Sequence, residues 1–273
     1  MGSLVTVLKE QIKSFYLVRR LSFYEMKSEN NNNYLGILWE LISPLIQIAV
    51  YAFVFGFGII GSGHGRKPVD HIDYFSWLIA GFCVWYFINQ AIIQGSRSVF
   101  SRIRMVSKMS FPTSVIPTYV IFAKFYQHLM LLVIVVIMLQ FSGHLLSIQF
   151  LQIPYYMFAS ILFLVALSLI TSTLSTIIRD VHMLLQAVMR MLLYLSPILW
   201  LPDPKNTTIT FIMKLNPIYY LVEGYRSALL GDPSWYMLEH LRYTIYFWVV
   251  VIILFIIGSK VHIKFRDRFI DFL

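Results

Sequence analysis

The chain has 273 residues, of which 58% are apolar and 13% charged, and its mean hydropathy is +0.71. A soluble domain carries about 25% charged residues, so the composition excludes a soluble globular protein and leaves no room for a soluble catalytic domain. The formal net charge is +9, and the one cysteine, Cys83, lies in an apolar run; an intrachain disulfide is therefore excluded and Cys83 reads as a packing residue. What remains is an all-α polytopic membrane protein, with six transmembrane helices expected in this length.

The N-terminal segment, residues 1–33, carries an amphipathic helix over 4–27. At 100° per residue Lys9, Lys13, Arg20 and Lys27 share one stripe, with Leu4, Leu8, Phe15, Val18 and Met26 opposite. A basic amphipathic helix beside a span reads as one lying in the membrane interface. No signal peptide is expected, because the N-terminus lacks a short continuous apolar core. The stretch 34–60 follows as the first span and is expected to organise the rest. Glu40 is its only full charge, near its start, and Pro44 and Gln47 lie inside it.

A loop rich in Gly leads to the second span, 74–93, with Trp77, Trp85 and Tyr86 as amphipathic aromatics. Residues 96–110 are again amphipathic, with Arg97, Arg104 and Lys108 on one stripe, and Phe111-Pro112 ends them. The third span covers 115–141 and the fourth 154–178, whose end is rich in hydroxyls. Arg179-Asp180 makes a short turn into the fifth span, 182–200. Residues 207–230 are too interrupted to span, with Lys214, Asn216-Pro217, Glu223 and Arg226 inside them. Two short re-entrant helices hinged at Asn216-Pro217 fit better. The sixth span covers 241–258, so that the transmembrane domain runs over 34–258 and a basic tail over 259–273.

Orientation follows from the basic residues. Five lie in the N-terminal segment (Lys9, Lys13, Arg19, Arg20, Lys27), four after the second span (Arg97, Arg102, Arg104, Lys108) and four in the tail (Lys260, Lys264, Arg266, Arg268). Six spans place all three groups in the cytoplasm, with both termini. The 207–230 segment then falls on the extracellular side.

No phosphate-binding Gly-x-x-x-x-Gly-Lys-[Ser/Thr], no His-Glu-x-x-His and no Cys-x-x-Cys occurs, so no catalytic, cofactor or metal residues are expected. Charge inside the membrane is the informative feature, because it is expensive and usually functional. Arg190 lies about 15 Å into the fifth span and Glu40 about 9 Å into the first. They either pair with each other or backbone, or Arg190 faces a polar passage and meets an anion. Tyr51 and Tyr194 are further candidates for that passage, as rings on which sugars could stack.

Five stretches carry a resemblance. They are Tyr34-Leu35-Gly36-Ile37-Leu38-Trp39-Glu40-Leu41-Ile42-Ser43-Pro44, Val106-Ser107-Lys108-Met109-Ser110-Phe111-Pro112, Ile178-Arg179-Asp180, Leu195-Ser196-Pro197-Ile198-Leu199-Trp200, and Leu215-Asn216-Pro217-Ile218-Tyr219-Tyr220 with Arg226. Together they resemble the ABC-2-type permeases, the polysaccharide-export branch of ABC transporters. The tail, Lys264-Phe265-Arg266-Asp267-Arg268-Phe269-Ile270-Asp271-Phe272-Leu273, most resembles the teichoic-acid branch of Gram-positive bacteria. The resemblance implies a coupling helix at 101–112, where Arg97, Arg102, Arg104 and Lys108 meet an ATP-binding subunit. It implies a second contact at Arg179 and Asp180, and a hinge at Asn216, Pro217 and Arg226. It implies a homodimer with two ATP-binding subunits, which hold the ATP and Mg, and a plasma-membrane location. The cargo it implies is an undecaprenyl-diphosphate-linked teichoic acid. The alternatives are O-antigen or capsular polysaccharide, then a small hydrophobic compound; a carrier driven by an ion gradient fits less well. Nucleic acid is not an expected partner.

Overall fold

The computed structural model describes residues 2–29, 33–58, 72–102, 112–200, 207–231 and 234–272. Every regular element among them is a helix, with no strand among the described residues. The N-terminal segment is two helices, α1 (Gly2–Lys13) and α2 (Phe15–Ser28), broken at Ser14. The first span is composite. A 3-10 turn (Gly36–Leu38) leads into α3 (Trp39–Tyr51), which contains Pro44, and a π-helical stretch (Ala52–Gly58) continues it. Proline has no N–H to give to the helix ladder, a loss that a membrane helix tolerates.

Then come α4 (Tyr74–Arg97), α5 (Val115–Phe141) and α6 (Ile153–Ile177), the last preceded by a 3-10 turn (Ile148–Gln152). α7 (Asp180–Leu195), α8 (Thr207–Lys214), α9 (Pro217–Leu230) and the single turn α10 (Tyr236–Glu239) lead to α11 (Leu241–Phe265). Among the described residues five helical stretches are long and apolar enough to cross a membrane: Gly36–Phe55, Tyr74–Arg97, Val115–Phe141, Ile148–Ile177 and Leu241–Phe269. The expected fifth span is α7. Its 16 residues reach about 24 Å, short of a hydrocarbon core of about 30 Å. The last span passes Gly258 without a break, and a 3-10 turn (Arg266–Phe272) follows.

The organising element is α4, not the first span. Leu78, Ile79, Ala80, Cys83, Val84, Ile88 and Ala91 are fully buried, and α5, α6, α7 and α9 all pack on it. α3 leaves Ile46 and Val50 exposed, and α7 leaves Met183, Leu184, Met191 and Tyr194 exposed. The reason is composition. α4 carries Gly81, Ala80, Ala91 and Gly95 along its length, and small residues let helix backbones approach closely in a membrane. A smaller core joins α2 to the chain's end, where Val18, Val99, Val115, Tyr119 and Phe269 meet.

Candidate functional site

Helix α9 is built to enter the bundle. Asn216 caps it, accepting from the Ile218 N–H at 3.0 Å, with Pro217 in the first turn. Gly231 closes it in the left-handed conformation, φ 78°. Between these ends the Arg226 guanidinium is buried. It donates to Glu223 at 2.6 Å, to the Trp77 carbonyl at 3.3 Å and to the Ile198 carbonyl at 3.2 Å. It also lies 3.6 Å from the centroid of the Trp77 ring. One side chain thus ties α9 to α4 and to the Ser196-Pro197 segment after α7.

Two glycines make this approach possible. A Cβ on Gly81 would stand 2.5 Å from the Arg226 Nη2, and one on Gly224 would stand 2.2 Å from the Tyr156 ring. Arg226 therefore anchors α9 on α4 and on the segment after α7, while Asn216 caps the start of the same helix.

At one end of the molecule the structure collects Arg97, Arg179 and Asp180. All three are exposed. The end of α4 meets the α6–α7 turn through Ser96, whose hydroxyl is 2.8 Å from His182 Nδ1, and through Phe100, edge-on to the same imidazole at 6.0 Å. Arg102 turns the other way, pairing with Glu25 of α2 and standing 5.7 Å over the Tyr119 ring. Arg104 and Lys108, the remainder of the expected coupling helix, lie outside the described residues.

Helices α1 and α2 are held by their acids. Glu10 bonds the Ser114 hydroxyl and pairs with Arg266 at 3.0 Å. Glu29 pairs with the buried Lys124 at 2.6 Å and accepts from Gln127. His262, buried, contacts Thr113 at 3.1 Å and Thr173 at 2.9 Å, closing the α5–α6–α11 junction. The basic stripe on α1 and α2 does not mark these groups; Glu10, Glu25 and Glu29, the three acids of residues 1–33, do.

Of the proposed passage residues, Tyr51 and Tyr194 are brought within electrostatic reach of each other. Tyr51 also packs against Phe82 at 5.6 Å. Glu40 is half-buried in the first turn of α3, near Tyr86. Arg190 is exposed on α7 and makes no hydrogen bond or ion pair with the described residues, so it does not pair with Glu40. Among the described residues no group of acids, histidines and cysteine could hold a metal.

The model of the ABC-2 type transporter family matches residues 16–230, from α2 through α9. The chain belongs to the ABC-2 type transporter family. Two O-antigen export system permease proteins RfbA of Klebsiella pneumoniae are each 23% identical to it over 250 residues, 91% of this chain and 92% of the relative. A third, from Myxococcus xanthus, is 20% identical over 208 residues, 74% of this chain and 76% of the relative. In this ABC-2 transporter the tail that resembles the teichoic-acid branch lies beyond the residues that the family model matches. Membership fits a transport component and a multi-pass membrane protein.

Proposed function

We propose that this chain is the membrane permease of an ATP-driven exporter that carries a lipid-linked polysaccharide of O-antigen type across the cell membrane. The likeness to O-antigen export permeases over nine-tenths of the chain carries this reading. Two copies line the passage, and each meets an ATP-binding subunit through the end that holds Arg97, Arg179 and Asp180. The faces of α3 and α7 that the single chain leaves exposed are where the second copy adds its half. Arg190 then reaches the passage, where its planar fork suits a diphosphate better than a neutral sugar.

A second reading rests on the tail: a wall teichoic acid on the same lipid carrier, in a Gram-positive cell. The discriminating experiment is reconstitution of the chain with its ATP-binding partner in vesicles. They are loaded with a lipid-linked neutral polysaccharide or a lipid-linked poly(polyol phosphate). ATP-dependent movement of the neutral chain supports the first reading. Movement of the phosphate polymer alone replaces it with the second, and movement of neither refutes both. Replacing Arg190 with Lys keeps charge and loses the fork, while Gln loses both. Export is expected to fall in the order Arg, Lys, Gln, with assembly intact.

A further inference from the structure

The acids of α1 and α2 point inward, to Arg266, Arg102 and Lys124. The cations of α2 are thereby left without acids of their own. Arg19, Arg20 and Lys27 are exposed, and none forms an ion pair with the described residues. Arg20 only overlies its neighbour, 5.9 Å from the Tyr24 ring. These three cations line one cleft between α2 and α5, about 810 Å³ in volume. Tyr16, Tyr24 and Tyr126 form its sides, and Leu129 and Met130 of α5 line its apolar part.

The two halves of the cleft call for one amphiphile. Leu129 and Met130 sit near the middle of a 27-residue span, at the depth of hydrocarbon. Long basic side chains keep their heads near the polar boundary while their stems cover apolar surface. The tyrosines bring an apolar ring and a polar hydroxyl to the same cleft. With no acid of the described residues beside them, the three exposed cations are open to an anion from the surroundings. A bilayer offers phospholipid phosphate continuously, whereas a cargo lipid is present only in passing.

We propose that this cleft binds an anionic phospholipid of the surrounding bilayer, with its phosphate among Arg19, Arg20 and Lys27 and an acyl chain against Leu129 and Met130. The site does not depend on which glycan is exported. It fastens α2 to the bilayer on its outer side, opposite the glutamates that fasten it to the bundle.

Native mass spectrometry of the full chain tests this with phosphatidylglycerol, phosphatidylcholine and undecaprenyl diphosphate as probes. Phosphatidylglycerol is expected to be retained over phosphatidylcholine. The triple variant Arg19→Gln, Arg20→Gln, Lys27→Gln is expected to lose its affinity about 100-fold, at roughly fivefold for each cation near an anionic surface. The double variant Arg19→Lys, Arg20→Lys, with Lys27 kept, should retain binding within a few-fold. The variant Lys9→Gln, Lys13→Gln removes exposed charge outside the cleft and should change little. All these side chains are exposed, so an unchanged melting temperature checks the fold. Equal losses from the α1 and α2 variants would reduce the effect to diffuse charge and overturn the site. Preferential capture of undecaprenyl diphosphate would also overturn the proposal and make the cleft a cargo site.

Discussion

At the scale of single residues, Arg226 carries the largest structural consequence. Its guanidinium satisfies two backbone carbonyls and Glu223 while stacking on Trp77. Breaking a buried ion pair by removing one partner typically costs about 3–5 kcal/mol, because the remaining charge and the freed acceptors lose their compensation. Glu223 is a quarter exposed, so Arg226→Leu falls at the lower end, about 3 kcal/mol. Arg226→Lys keeps the charge but cannot reach all three acceptors, and should lie between. Gly81→Ala should destabilise in the same direction but less than Arg226→Leu, since its Cβ meets the end of a flexible side chain that must shift. Thermal unfolding in detergent measures all three, and a Gly81→Ala protein as stable as the parent would show that Arg226 is not held as described.

Elements here are fixed by their ends and by their inward acids. Lys124 is nearly buried inside α5, and Glu29 at the end of α2 is its partner. Glu29→Gln leaves that ammonium uncompensated and should destabilise by about 3 kcal/mol. Adding Lys124→Met should restore most of it, because a buried pair replaced by apolar groups of similar volume is often neutral. A double variant no more stable than Glu29→Gln in the same melting assay would remove the pair from the account of how α2 is docked.

Helix α4 starts at Asp73, whose carboxylate accepts from the Ser76 N–H at 3.0 Å and lies 3.7 Å from His144. Burial alone would raise the Asp73 carboxyl, but its bonds to Ser76 and the neighbouring His144 outweigh this and hold it below its ordinary value. A carboxyl depressed in the fold adds stability above its unfolded pKa, and that contribution is lost as pH falls through the folded value. The cap is worth about 1 kcal/mol, and Asp73 is half exposed, so the charge adds little to that. Asp73→Ala should therefore be less stable than the parent at neutral pH. The gap should narrow only below about pH 4, the ordinary carboxylate range. A gap that closes between pH 7 and 5 would show that the Asp73 carboxyl is not held below its ordinary value.

For the whole molecule, the division of labour is the testable matter. The chain has no Gly-x-x-x-x-Gly-Lys-[Ser/Thr] to cradle phosphates, so the purified chain alone should not hydrolyse ATP. Co-expressed with its ATP-binding subunit it should purify as a two-plus-two complex. Charge reversal of Arg97 and Arg179, at the exposed end where α4 meets the α6–α7 turn, should weaken that complex, since like charges across a contact cost several kcal/mol. An unchanged complex mass and unchanged ATP hydrolysis in the double reversal would move the contact elsewhere.

Composition alone determined the solvent of this protein, because 58% apolar residues cannot be covered by 13% charged ones in water. Local patterning determined the helix ends: Asn216-Pro217 opens α9, Arg179-Asp180 separates α6 from α7, and the amphipathic start stays at the edge of the bundle. Only the tertiary structure decided which span lies at the centre, and α4 replaced the stretch 34–60. All the spans are apolar, so hydropathy cannot rank them, and close approach depends on which small residues face a neighbour. Likewise Arg190 and Arg226 are equivalent as charges in apolar sequence. One is exposed and one is buried, because carbonyls of Trp77 and Ile198, far apart in the chain, converge on Arg226 alone. The partners of Glu10, Glu25 and Glu29 lie 77 or more residues away, beyond the reach of any local pattern.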